Sequence, residues 1–501
     1  MNLFDILARR ADPAALAIET AGGERISYGE LIARTGRMAN ALTSLGVKPG
    51  DRVAVQVEKS VEAIILYLAT VRAGAVFLPL NTGYTPAEIE YFVTDAEPAV
   101  FVCDPSREEA LRPAAEAAGA KVLTLDAKGA GTLTEAAKGQ PDAFATVPRE
   151  DDDLAALLYT SGTTGRSKGA MLSHGNLVSN TLALINAWRT TDRDVLIHAL
   201  PIFHTHGLFV ATNVTLFSGA SMIFLPKFDV DRIFELMPRA TLLMGVPTFY
   251  TRLLQDDMLN AETTGNMRLF ISGSAPLLAE THREWRARTG HAILERYGMT
   301  ETNMNTSNPY EGDRVAGTVG LPLPGVEIVV TDPETGAPLP QGEIGMIEVR
   351  GPNVFKGYWR MPEKTAAELR ENGFFITGDL GMIDGNGYVH IVGRGKDLII
   401  TGGYNVYPKE VEAEIDALPG VTESAVIGLP HRDLGEGVTA VVVPAPGATL
   451  TEAEVLAPLE ARLAKFKLPK RVVFVDELPR NTMGKVQKNL LRDRFAGLYQ
   501  G

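Results

Sequence analysis

The sequence predicts an α/β fold: a large N-terminal body of layered α/β subdomains with a β-barrel-like portion, then a small, mobile α+β C-terminal lid. Three observations carry this reading. Strand-like runs alternate with helical patterns through most of the chain, the signature of buried parallel strands with crossover helices. Between residues 318 and 392 the runs shorten and are punctuated by Pro-Gly, Asp-Pro and Asn-Gly, which suggests antiparallel hairpins. After Gly393, Arg394 and Gly395 a compact unit begins. The expected domains are residues 1–393 and 394–501.

In chain order, residues 52–57 (RVAVQV) read as a strand. Apolar residues at 61, 64, 65, 68 and 71 follow at helical spacing, and Gly74 stops the helix. Residues 75–80, 99–103, 196–200, 221–225 and 269–272 are further strand candidates. In the C-terminal unit, 398–401 is a strand, and Pro408 opens a helix with Val411, Ile415 and Leu418 on its apolar face. Strands at 425–429 and 438–443, a helix from about 452 to 464 and a strand at 472–475 complete the unit.

The chain has 501 residues, 45% apolar and 22% charged. That length and composition fit a folded protein with a sizeable core and exclude disorder, collagen and coiled coil. The net charge is −13, which makes nucleic acid an unexpected partner, because phosphate neutralisation supplies most of that affinity. However, residues 465–494 hold nine basic residues against three acidic ones, so local positive charge is available for small anions. Cys103 is the single cysteine; no disulfide framework or multi-cysteine zinc site is expected, and the compartment reads as reducing. No run reaches the ~18 apolar residues of a membrane span. The N-terminus has no apolar signal core, and Arg9 and Arg10 are its only transit-like feature. No membrane association and a cytoplasmic location are expected.

The most informative segment is YTSGTTGRSKG at 159–169, after the apolar run 154–158. Glycines let backbone N–H groups converge, while hydroxyls and Lys168 add donors, a combination suited to polyphosphate. It is not a Walker A loop, because Ser167 stands where the second glycine must fall. Two other readings stay open on the loop alone: a plain polar turn, and the G-x-S-x-G nucleophile elbow of a hydrolase, formed by residues 165–169 with Ser167 as nucleophile.

Further motifs follow in order: PIFHTHG at 201–207, SGSAP at 272–276, ERYGMTE at 295–301 and GYW at 357–359. TGD at 377–379, GRGKD at 393–397, GGYN at 402–405 and PRNTMGK at 479–485 complete the set. With the 159–169 loop they resemble the adenylate-forming superfamily of acyl-CoA synthetases, luciferases and peptide-synthetase adenylation domains, over about residues 25–490. The resemblance implies ATP, Mg²⁺ and coenzyme A as co-substrate. A carboxylate is a poor acyl donor until joined to AMP, and bringing it to the α-phosphate requires cations aimed at developing charge.

The resemblance implies that Thr160, Ser161, Gly162, Thr163, Thr164 and Lys168 hold the β- and γ-phosphates. It places the adenine against Gly273, Ser274 and Ala275 and the run Glu295, Arg296, Tyr297, Gly298 and Met299, with Tyr297 stacking. Thr300 contacts the α-phosphate, Glu301 holds Mg²⁺, and Asp379 takes the ribose hydroxyls beside Arg394. Lys485, carried in by the lid, bridges carboxylate and α-phosphate. It is also an expected target of a lysine acetyltransferase and deacetylase, since acetylation removes its charge. Lys396 falls at the family's hinge. His206 borders the acyl pocket and the pantetheine tunnel. Each has a plainer reading: Glu301 a surface carboxylate, Lys485 a solvated tail lysine, Lys396 a turn lysine, and His204 with His206 a fragment of a metal site.

For the acid, the helix expected after 272–276 carries Arg283. An arginine facing the acyl pocket is a costly unpaired charge unless a dicarboxylate meets it; the alternative is a solvent-facing arginine. The runs AETHREW at 279–285 and MTETNMN at 299–305 resemble the malonyl-CoA synthetase branch. That branch implies malonate, with methylmalonate as a second acid, in a small pocket formed by Arg283, His206, Ser274 and Met304. Another short-chain or aryl acid–CoA ligase is the nearest alternative. A serine hydrolase and a non-catalytic nucleotide binder are the more distant ones. Lys465, Lys467, Lys470 and Arg471 are candidates for the CoA phosphates.

Overall fold

The structure is a computed structural model. It describes the chain except residues 11, 161–166, 402–403, 432–433, 461, 464, 482–483 and 500–501, and the side chains of residues 10 and 405. The alternating pattern folds into two mainly parallel sheets. In the six-stranded sheet, Lys121–Thr124, Val100–Cys103, Arg52–Gln56, Val76–Pro79 and Leu154–Thr160 are parallel neighbours, and Lys168–Ser173 closes the edge antiparallel. The nine-stranded sheet has a parallel centre of Leu16–Thr20, Ser221–Phe224, Val195–His198, Leu242–Gly245, Leu269–Ser272 and Leu294–Met299.

The period of two along a strand divides its side chains between layers. Val53 and Val55 join the main core, which reaches into the nine-stranded sheet, while Ala54 faces a separate cluster with Phe101 and Phe92. The helix Val61–Arg72 buries every residue except Glu62, because both sheets contribute to the core around it. An all-round apolar helix is stable only when enclosed in this way. Ser60 accepts the N–H of Ala63 to cap it.

The hairpin-rich segment forms a four-stranded antiparallel meander: Glu327–Thr331, Gly345–Arg350, Phe375–Ile383 and Val389–Arg394. This is the barrel-like portion. A 3₁₀ turn, Gly395–Asp397, then leads to a separate sheet. Its antiparallel strands are Tyr404–Val406, Ile399–Thr401, Gly435–Pro444 and Val421–His431, and Arg471–Phe474 adds in parallel. Helices Pro408–Asp416, Glu452–Glu460 and Lys488–Phe495 pack against it over two small apolar cores. Among the described residues no helix is long and apolar enough to cross a membrane.

Candidate active site

Leu154–Thr160 and Lys168–Ser173 pair antiparallel, with Thr160 opposite Lys168, so the Gly/Thr-rich loop joins two strands. A nucleophile elbow turns a strand into a helix. Ser167 instead leads into a strand, which removes the hydrolase reading. Ser161, Gly162, Thr163 and Thr164 lie outside the described residues. At the mouth of the loop, Lys168 Nζ stands 3.4 Å from Glu368 and 4.2 Å above the Tyr358 ring. The Tyr358 hydroxyl sits between Glu301 Oε1 at 3.0 Å and Glu368 Oε2 at 2.6 Å. One phenol therefore links the expected metal carboxylate to the partner of the loop cation. The sequence pattern GYW was visible, but the Tyr358 and Glu368 contacts were not.

Leu294–Met299 and Asn303–Ser307 form a hairpin whose tight turn presents Thr300 and Glu301. Glu301 is 6% exposed, and burial raises its carboxyl pKa. The turn requires Gly298, since a Cβ there would stand 1.8 Å from the Asn303 carbonyl. Met299, paired with Asn303, closes the strand. Successive strand residues face opposite ways. On one side, the Tyr297 hydroxyl donates to Asp379 Oδ2, and Arg394 Nε lies 2.8 Å from Asp379 Oδ1. Glu295 has no hydrogen-bond partner at Oε2 among the described residues. Burial pushes its pKa up to about 7, opposed chiefly by Lys409 of the C-terminal unit. Its carboxyl is thus close enough to the C-terminal unit to feel the Lys409 charge.

Arg296 points the other way. It is 3% exposed, and Nε and Nη2 have no partner among the described residues. Burial pushes its pKa down to about 9. Its guanidinium lies over Gly273, where a Cβ would stand 2.3 Å from Cζ. On the same side His206 Nδ1 is 3.1 Å from Ser274 Oγ, and His206 Nε2 has no partner among the described residues. The Arg296 charge, second to burial, lowers the His206 pKa well below its ordinary value. His206 starts a π-helical segment, His206–Thr212, of a kind found mainly at functional sites. Ser274 is held at φ +72°, strained for a residue with a Cβ, and Ala275 follows it in the loop.

Arg283 corrects the sequence expectation. It lies on the exposed face of helix Ala279–Thr289 with 63% of its side chain bare, paired to Glu280 at 2.9 Å. The buried face of that helix carries Thr281, His282 and Trp285. Met304 is buried at 2% exposure beside Gly298. Arg296, not Arg283, is the arginine buried near His206 and against Gly273, and strand alternation against Tyr297 was the signal available in the sequence.

Lys485 is exposed. It nevertheless sits close enough to Arg394, Asp379, Glu301 and Arg296 to feel their charges. Crowding by protein, then Arg394, pushes its pKa down to about 8. A Cβ on the preceding Gly484 would stand 3.7 Å from Thr248 of the body. Lys396 lies in the 3₁₀ turn between two ion pairs: Arg394–Asp379 on the body side, and Asp397–Arg492, at 2.5 Å, within the C-terminal unit.

The hairpin flanking the Gly/Thr-rich segment, the buried Glu301, the Asp379/Arg394 pair and Lys485 from the C-terminal unit converge on one region, as expected of an adenylate-forming enzyme. Residues 5–359 match the AMP-binding enzyme family, and residues 410–485 match the AMP-binding enzyme C-terminal domain. The chain belongs to this family. It is similar to MatB from Rhodopseudomonas palustris, 70% identical with 99% of each chain covered. The TM-score is 0.98 to the ATP-bound MatB structure and 0.88 to the apo structure. It is also 39% identical to a feruloyl-CoA synthase from Amycolatopsis over 99% of both chains. To the malonate–CoA ligase of Arabidopsis thaliana it is 34% identical, over 94% of this chain and 85% of that one.

Proposed function

We propose that the chain is an AMP-forming malonate–CoA ligase, converting malonate, ATP and CoA to malonyl-CoA, AMP and diphosphate through malonyl-AMP. The observation that carries the choice of acid is Arg296, a buried guanidinium with two nitrogens unpartnered among the described residues, on the acyl side of the site. A buried charge without a partner is costly, and a second carboxylate on the substrate satisfies it bidentately. An aryl or simple short-chain acid leaves it unpaired. The 70% identity to MatB and the malonate–CoA ligase relatives support the same reading.

Malonate lies with its distal carboxylate on Arg296, flanked by His206, Ser274 and Met304. Its other carboxylate faces the α-phosphate, contacted by Thr300. Thr160, Lys168 and the loop between them hold the β- and γ-phosphates, and diphosphate leaves as the carboxylate oxygen attacks phosphorus. Asp379 and Arg394 fix the ribose, and Tyr297 flanks the adenine, its hydroxyl tied to Asp379. Glu301, a hard carboxylate near Lys168, fits Mg²⁺, which when bound neutralises charge on the phosphates. Lys485 donates to both reacting anions. The CoA thiolate then attacks the acyl carbon and AMP departs.

We place the domain boundary at 393/394 and the pivot at Gly395 and Lys396. The ion pairs on either side anchor Arg394 to the body and Asp397 to the lid, which supports a hinge confined between them. The higher similarity to ATP-bound than to apo MatB, at equal identity, supports a lid set for adenylation. Lys465, Lys467, Lys470 and Arg471 stay candidates for the CoA phosphates. Methylmalonate, one methyl larger, is proposed as a second acid. A cytoplasmic setting is proposed, with acetylation of Lys485, whose accessible amine and lowered pKa favour that chemistry.

The test is AMP release with CoA across a panel of acids. Malonate is expected to lead, and methylmalonate to follow. Faster turnover of acetate, butyrate or benzoate would reject the assignment. A second expected outcome concerns pH. Lys485 acts protonated, so kcat/KM for malonyl-AMP formation should fall as pH rises through about 8. With both anionic substrates bound, the same limb in kcat should move higher, because opposite charge favours the protonated amine. A profile flat across pH 8 would argue against a protonated lysine.

A further inference from the structure

The loop that carries Lys485 is a small hairpin. Arg480 bridges Val486, Asn481 N–H donates to the Lys485 carbonyl at 2.9 Å, and the Asn481 side chain accepts the Lys485 N–H at 2.9 Å. Gln487 N–H returns to the Pro479 carbonyl at 2.8 Å. These bonds shape the loop, and Val486 packs it against one of the lid's apolar cores. Downstream, Lys488 Nζ lies 2.5 Å from Glu412, which secures the far end. Nearer the tip, Arg480 Nη1 donates to the Gly484 carbonyl at 2.6 Å, and Nη2 is bonded to Glu423. Glu423 stands at a register irregularity in strand Val421–His431, within the lid's central sheet.

We propose that Arg480 is a positioning residue for the adenylation half-reaction: held by Glu423, it struts the peptide immediately before Lys485 and so aims that amine at the body. This rests on the role proposed for Lys485. The physical basis is that a planar guanidinium offers two donors at fixed directions, so one side chain ties a sheet carboxylate to a loop carbonyl. Gly484 itself adopts φ +75°, a conformation that supplies no side-chain anchor of its own. Orientation of a reacting group to within about an ångström is worth roughly 10²-fold in rate, so a loose strut should be felt at that level.

Two measurements on the full chain test it: diphosphate release with ATP and malonate in the absence of CoA, and malonyl-CoA formation from preformed malonyl-AMP. Arg480→Gln is expected to slow the first about 10- to 100-fold and to leave the second within about threefold. Glu423→Gln should act in the same direction by a smaller factor. The exchange Glu423→Arg with Arg480→Glu restores the ion pair but gives no donor to the Gly484 carbonyl, so it should stay impaired in the first measurement only. Equal loss in both measurements, an unchanged first measurement in Arg480→Gln, or full recovery in the exchanged pair would each overturn the strut. Lys485→Ala, run in parallel, separates the two ideas. If it abolishes adenylation while Arg480→Gln does not weaken it, the strut alone fails. If it leaves adenylation intact, the reading of Lys485 falls and the strut with it.

Discussion

Replacing Arg296 by Met should lower kcat/KM for malonate by roughly 10²- to 10⁴-fold while KM for ATP moves less than about threefold. The estimate follows from the cost of removing one partner from a buried charge pair, about 3–5 kcal/mol. Methionine keeps length and apolar volume, so the loss reports the guanidinium and not a cavity. The same change should raise butyrate relative to malonate, because it removes a charge that a monocarboxylate leaves unpaired. Arg283→Ala is the control. Its side chain is exposed and paired to Glu280, and surface pairs of that kind are worth little, so its activity should stay within about twofold. Steady-state kinetics with both acids decides the matter. Equal damage to ATP and malonate parameters would mean that Arg296 supports the nucleotide, and a large effect at Arg283 would return the pocket to the helix.

Lys485→Ala should abolish malonyl-AMP formation, by 10³-fold or more on the scale of a preorganised charge stabilising the transition state. Conversion of preformed malonyl-AMP to malonyl-CoA should be spared. The split is expected because only the first step brings two anions together: the carboxylate meets the α-phosphate, and Lys485 lies among Arg394, Asp379, Glu301 and Arg296 where they converge. The second step joins a thiolate to an activated acyl carbon and brings no carboxylate to a phosphate. Lys396→Pro gives the mirror image. Fixing the backbone dihedral at the proposed pivot should hinder the thioester step more than the adenylate step. Diphosphate release without CoA and thioester formation from malonyl-AMP measure the two halves. Uniform loss in Lys485→Ala would assign the lysine to folding or to both steps.

Much of the fold was legible because its elements are set by local periodicity. The strand expected at 52–57 forms at Arg52–Gln56, and the helix expected from 61 forms at Val61–Arg72. The hairpin segment and the small C-terminal unit follow from turn residues and a change of period. Element ends moved by a few residues, as in the strand expected at 425–429 that extends to Val421–His431, because pairing with Gly435–Pro444 continues past the apolar run. At the site, motif order was sufficient to nominate the phosphate loop, Glu301, Asp379, Arg394 and Lys485. It was not sufficient for direction. Arg283 and Arg296 are both arginines in family-like runs, yet one is bare on a helix and the other is enclosed against Gly273.

The sequence by itself determined the alternating α/β body, the antiparallel segment, the lid, and the set of residue types needed to activate an acid with ATP. Those depend on spacing along the chain. Only the tertiary structure decided which arginine is buried beside the site, that Glu295 feels the Lys409 charge across the domains, that Tyr358 joins Glu301 to Glu368, and that Arg480 bonds both Glu423 and the Gly484 carbonyl. Each depends on groups distant in sequence arriving at one place, where burial makes an unpaired charge expensive and a missing Cβ leaves room for a guanidinium.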